Sequence, residues 1–191
     1  GAAVADVLSG DYNPAGRLPV TFYKSVAQLP PFGSYSMNGR TYRYFTEQPL
    51  YPFGYGLSFS SFNYSDAKIT PDQVAAGTVV TASVRVMNSS SVPGDEVVEL
   101  YLSHLGIDGA PIRSLAGFQR IHLAASASQT VTFTLRDRDL STVDDNGIRR
   151  VVPGPVEVWI GGGQPVSGPG QPATKGVLAK FNITSGTTLD D

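Results

Sequence analysis

The chain has 191 residues, of which 41% are hydrophobic and 16% charged, with 21 glycines, 14 prolines and no cysteine; the apolar content suffices for a packed core, and the surplus of turn-formers over charges favours short strands over long helices. Fourteen Lys and Arg against 16 Asp and Glu, scattered along the chain, give a formal charge of −2 and exclude the concentrated basic surface that nucleic-acid binding requires. The absence of cysteine excludes disulfides, thiolate zinc sites and a cysteine nucleophile, and no run of apolar residues is long enough for a membrane-spanning helix.

The sequence opens at Gly1, Ala2, Ala3 and Val4, inside an apolar pattern and without an initiator Met or an N-cap residue. It reads as an interior point of a longer polypeptide. Val4, Val7 and Leu8 share one helical face over residues 2–9, and Gly10 can close that helix in the left-handed conformation. Turn chemistry at residues 11–16 leads into Leu18 to Tyr23, expected as one strand. Residues 1–27 therefore read as a helix–strand remnant of an α/β domain. Residues 28–62 are dense in Pro, Gly, Tyr and Phe and follow neither a period of 2 nor of 3.6, so they are expected to form an irregular, aromatic-rich connection. Such a loop either ties down a domain linker or edges a ligand cleft.

From residue 63 the rhythm changes to alternating strands separated by turn clusters, the pattern of a two-sheet sandwich reaching to about residue 185, with 186–191 left as a tail. Val80 to Val86 alternates apolar residues with Thr, Ser and Arg. Val98, Leu100 and Leu102 alternate with Glu99 and Tyr101, and Val131, Phe133 and Leu135 alternate with three threonines; all three runs fit half-buried antiparallel strands. Asp145, Asn146 and Gly147 form a hairpin turn, because Asn-Gly accepts positive φ. Pro153-Gly154 turns the chain into a strand over Val156 to Ile160. A Gly/Pro-rich loop from Gly161 to Gly170, with Gly161 to Gly163 as a flexible turn, precedes a last strand over Val177 to Ile183. The fold class expected is thus mainly β: an immunoglobulin or fibronectin type III-like antiparallel β-sandwich, preceded by a short α/β remnant and an irregular aromatic-rich segment.

Little in the sequence marks a catalytic centre. Asp137, Asp139, Asp144 and Asp145 lack the spaced ladder of a calcium loop and read as an exposed acidic loop. No Gly-x-Ser-x-Gly elbow accompanies the two histidines, His104 and His122, which read as surface or edge-strand residues. Sugar-contacting chemistry is better represented, because pyranose C–H faces pack on aromatic rings while Arg, Asn or Asp bind hydroxyls. The candidates are Tyr35, Arg40, Tyr42 and Tyr44 in the connection, with Tyr101 and Trp159 on outward strand faces; the competing role for all six is interdomain packing. Glycosylation sequons occur at Asn63, Asn88 and Asn182.

The order of motifs resembles the C-terminal third of glycoside hydrolase family 3. The resemblance runs through Ala5 to Phe22 (ADVLSGDYNPAGRLPVTF), Gly39 to Phe45 (GRTYRYF) and Leu50 to Ser58 (LYPFGYGLS). It continues through Gly94 to Val98, Leu115 to Arg120 and Pro153-Gly154 into the family's fibronectin type III-like domain. Residues 30–32 and 40–45 lean towards the β-xylosidase branch. The resemblance implies retaining hydrolysis of terminal β-linked sugars by the parent enzyme, without a cofactor, in the periplasm or outside the cell. The family's nucleophile and acid/base belong to earlier regions, so no catalytic residue and no metal ligand carries over. The reading is a bracing, non-catalytic portion that partners the remaining domains of the glycosidase and approaches polysaccharide, with no nucleic-acid or membrane partner. Alternatives are a free-standing carbohydrate-binding or adhesion module and an autonomous small hydrolase such as an esterase. Residues 1–60 are expected to fold back onto the sandwich through Phe32, Tyr42, Tyr44, Phe53 and Tyr55, or to be buried in a homodimer.

Overall fold

The computed structural model describes residues 1–166 and 173–190. Helix α1 (Ala2–Ser9) ends at Gly10, whose φ of 88° supplies the left-handed cap that only glycine adopts without strain. The chain then runs through a 3-10 turn (Val26–Gln28) and a single helical turn, α2 (Thr41–Tyr44), before the first strand. Leu18 to Tyr23 is not a regular strand. It makes one bridge, Phe22 to Tyr51, flanked by bonds from the Leu18 amide to Tyr55 O and from the Gly54 amide to Leu18 O. Pro19 has no amide hydrogen to extend this ladder.

Eleven strands follow among the described residues: β1 (Phe62–Thr70), β2 (Gln73–Val74), β3 (Val80–Asn88), β4 (Gly94–His104), β5 (Ser114–Leu123), β6 (Ser128–Leu135), β7 (Ser141–Val143), β8 (Arg149–Val151), β9 (Gly154–Gly161), β10 (Gly176–Ile183) and β11 (Thr187–Thr188). They make a sheet ordered β1-β3-β6, a five-stranded sheet ordered β2-β10-β9-β4-β5 and a small sheet ordered β11-β8-β7. All pairings are antiparallel except β2 with β10. This is the expected β-sandwich with a short helical part in front. Of the stretch 186–191, expected as a tail, the described residues 186–190 extend the fold: β11 pairs with β8, and Leu189 packs against the core and donates its amide to Arg149 O. Residues 167–170 of the expected Gly/Pro loop lie outside the described residues.

Alternation explains the core. Val80, Ala82, Val84 and Val86 of β3 are all fully buried and meet Val98, Leu100 and Leu102 of β4 across the sandwich. Burying a valine or leucine is worth about 1.5–3 kcal/mol, so these two strands anchor the fold. The Asp-Asn-Gly turn joins β7 to β8 as expected, with Asp144 Oδ1 accepting from the Asn146 amide and Gly147 at φ 78°. The acidic loop is also structural: Asp137 accepts from the Gly77 amide and Asp139 from the Arg136 amide.

Asn88, although a sequon residue, is fully buried at the end of β3. Its Nδ2 donates to Val92 O at 2.8 Å and Leu123 O at 3.2 Å, while its Oδ1 accepts from Ser90. It ties the β3–β4 turn to β5. Asn88→Ala is expected to lower unfolding free energy by about 1–3 kcal/mol, because buried acceptors lose their donor, with a matching drop in the urea midpoint.

Candidate functional site

Polar chemistry concentrates where the N-terminal segment meets the sandwich. The register that turns Val98, Leu100 and Leu102 inward also turns Glu96 inward, where it is 3% exposed. A buried carboxylate needs a cation or donors, or it takes up a proton. Arg17 Nη2 donates to Glu96 Oε2 at 2.6 Å, and the Tyr64 hydroxyl of β1 donates to Oε1 at 2.6 Å. The guanidinium is itself fixed by Nε donating to Gly162 O at 3.2 Å and Nη1 to Gly16 O at 3.3 Å.

Glu99, three residues along β4, faces the outer side of the sheet and is also buried. The Tyr101 hydroxyl donates to it. Burial pushes both glutamates above the usual carboxyl range; Arg17 and Tyr64 pull Glu96 part of the way back, and Tyr101 and Arg17 do the same for Glu99. Burial and the adjacent carboxylates push the Tyr64 and Tyr101 hydroxyls up, so both remain donors.

The Arg17–Glu96 pair lines a cavity of about 530 Å³, whose other lining residues include Tyr51, Tyr55, Thr174 and Lys175. The two tyrosine rings lie 4.9 Å apart and tilted by 35°. Glycines permit the close approach beneath it. A Cβ on Gly162 would come within 2.3 Å of Glu96 Oε1, and one on Gly163 within 2.9 Å of Gly54 O. The run 161–163, expected as a flexible turn, is therefore a packed contact surface. Gly54, at φ 78°, leaves no room for a side chain against Glu99 Oε2. Gly54→Ala is expected to cost about 1–3 kcal/mol of local strain, read as faster hydrogen exchange at the Leu18 and Gly54 amides.

The six residues expected to contact sugar do not form one platform. Tyr101 is buried, not exposed: Tyr42 covers it edge-on at 5.9 Å and packs on Phe53 at 4.4 Å. The Tyr42 hydroxyl accepts from the Leu115 amide at 3.1 Å. Trp159 pairs across the sheet with Tyr101, is half-buried, and donates Nε1 to Gly163 O at 3.0 Å. Tyr44 is half-buried. Arg40 turns back on its own loop, donating to Ser34 O at 2.8 Å and Ser36 O at 3.0 Å. That loop holds Tyr35 and Phe32 out, at 98% and 106% exposure. Of the rings expected to fold onto the sandwich, Tyr42 and Phe53 do so, Tyr55 stacks on Tyr51, and Phe32 does not pack at all, because the Arg40-braced loop points away. His122 bonds Asp95 at 2.6 Å, and among the described residues neither histidine is hydrogen-bonded to a serine hydroxyl.

Glu96, Arg17, Tyr64 and Lys175 were not among the sequence candidates. The signal was present at Glu96: a carboxylate on the core-facing register of a strand demands a buried partner.

The two regions that meet at this cavity match two family models. Residues 1–59 match the glycosyl hydrolase family 3 C-terminal domain, and residues 96–164 match a fibronectin type III-like domain. The chain belongs to glycoside hydrolase family 3. A xylan 1,4-beta-xylosidase of Xylanibacter ruminicola is 41% identical over 162 residues, covering 84% of this chain and 18% of that protein. A periplasmic beta-glucosidase of Salmonella typhimurium is 38% identical over 174 residues, covering 84% of this chain and 23% of that protein. The chain thus spans about a fifth of the length of these relatives. Beta-glucosidase 3B from Thermotoga neapolitana, solved with glucose, superposes with a TM-score of 0.84 at 28% identity, over 98% of this chain and 27% of that one.

Proposed function

We propose that this family 3 chain is the non-catalytic C-terminal part of a retaining exo-β-glycosidase of the β-xylosidase or β-glucosidase type, exported from the cytoplasm, and that it braces the domains that perform catalysis. The supporting observation is the uneven distribution of apolar surface. Helix α1 has no buried residue, and Leu8, Val26, Phe32 and Tyr35 are 80%, 82%, 106% and 98% exposed, all within the region matched by the family 3 C-terminal domain. The sandwich keeps its large apolar residues mostly inside. Exposed apolar surface on this scale marks a contact face, and the longer relatives have further chain that could cover it. A second copy of the chain would cover the same face.

The purified chain is expected to show no turnover of aryl β-xyloside, β-glucoside or α-arabinoside beyond a heat-treated control. In a full-length glycosidase that contains it, Leu8→Asp is expected to lower thermal stability and active yield. Turnover by the chain alone, lost on substitution of one of its own carboxylates, would overturn the reading.

A further inference from the structure

We infer that the cavity lined by residues 50–58 and 60–62 together with Gly162, Gly163, Thr174 and Lys175 is an accessory binding site for a short, neutral, β-linked saccharide. The inference takes its ligand class from the reading above but does not depend on bracing. The volume of about 530 Å³ lies within the roughly 300–1,000 Å³ typical of small-ligand sites.

The floor selects the chemistry. Arg17 and Glu96 neutralise each other at 2.6 Å, so neither an anion nor a cation gains from the floor alone. Hydrogen-bonding capacity remains nonetheless. A carboxylate offers about four acceptor directions and a guanidinium five donors; Glu96 uses one bond on each oxygen, and Arg17 directs its nitrogens to Glu96, Gly162 O and the carbonyls of residues 15 and 16. The group that meets a spare acceptor and a spare donor side by side is a hydroxyl, which both donates and accepts. Several such groups on a ring with apolar C–H faces describe a sugar.

The walls fit the same ligand. Tyr51 and Tyr55 form a tilted aromatic pair that lines the cavity, and a pyranose C–H face packs on such rings. Lys175, which also lines the cavity, is exposed; its ammonium donates to Asn63 Oδ1 at 3.0 Å and retains two further hydrogens for hydroxyls. Both Tyr51 and Lys175 are exposed, so substituting either leaves the core intact.

The test is a titration of the whole chain with xylobiose and, separately, cellobiose, followed by amide chemical shifts in ¹H–¹⁵N NMR. Saturable shifts are expected at Gly54, Gly162, Gly163 and Lys175, with a dissociation constant on the order of 1 mM. Tyr51→Ala and Lys175→Ala should each weaken binding by about tenfold, and Phe32→Ala should leave it unchanged. Three results would overturn the assignment: no saturable shifts up to about 50 mM, where such a site would be full; shifts confined to the Phe32–Tyr35 loop; or undiminished binding in the Tyr51 and Lys175 variants. Because this readout uses the isolated chain and no turnover, its failure leaves the bracing role standing, and failure of the bracing role leaves it untouched.

Discussion

Arg17→Ala is expected to lower the unfolding free energy by about 3–5 kcal/mol, the cost of stranding one member of a buried ion pair. Glu96 would remain almost wholly enclosed with the Tyr64 hydroxyl as its surviving donor, and the guanidinium bond to Gly162 O would also be lost. Replacing both partners separates the charge from the contact. Arg17→Met combined with Glu96→Gln removes both charges while keeping similar volume, and this pair should recover more than half of the loss. Urea denaturation of the parent chain, Arg17→Met, Glu96→Gln and the double variant, read by Trp159 fluorescence, provides the thermodynamic cycle. A single variant that costs less than about 1 kcal/mol would place this pair among ordinary surface bridges.

The second large effect is on pH. Glu96 and Glu99 are both raised by burial above their unfolded-state value, so between the unfolded and folded values the native chain binds more protons than the denatured one. Stability from these groups is therefore fully present below the ordinary carboxyl range and is lost as pH rises through the folded values. His104 acts in the opposite sense. Its burial lowers its proton affinity, so its contribution declines as pH falls below the ordinary histidine range. Comparing the chain with Glu99→Gln removes the His104 effect, which is common to both. On acidification from pH 8 to pH 5 the melting temperature of the chain should rise relative to that of the variant, and Glu99→Gln should be the more stable protein at pH 8. Parallel melting curves across this range would show that the outer glutamate titrates normally.

Alternation made the sandwich legible, because period-2 burial of Val80 to Val86 and Val98 to Leu102 is written directly into the residues. The hairpin at Asn146-Gly147 was legible for the equally local reason of positive φ. What escaped sequence reasoning depends on distant partners. Tyr101 carries the signature of an outward-facing ring, and nothing near it in sequence announces that Tyr42, 59 positions earlier, will lie over it. The cavity escaped for the same reason: Arg17, Tyr64, Glu96 and Lys175 come from four separate parts of the chain, and glycine runs that look flexible prove to be surfaces for close contact. The strand expected at Leu18 failed locally, at Pro19.

The glycine contacts and the Arg17–Glu96 pair have a practical corollary for protein engineering. A chimera that grafts this sandwich onto another glycosidase by cutting the chain just before Phe62 would leave Glu96 without Arg17, Glu99 without the backbone of Gly54, and Tyr101 bare of Tyr42. The transplantable unit begins near Asn13, which is itself pinned to Ser58, Ser60 and Pro93. Recombination points within residues 13–62 should therefore yield insoluble hybrids, whereas a crossover in the Gly10–Asp11 turn should preserve solubility.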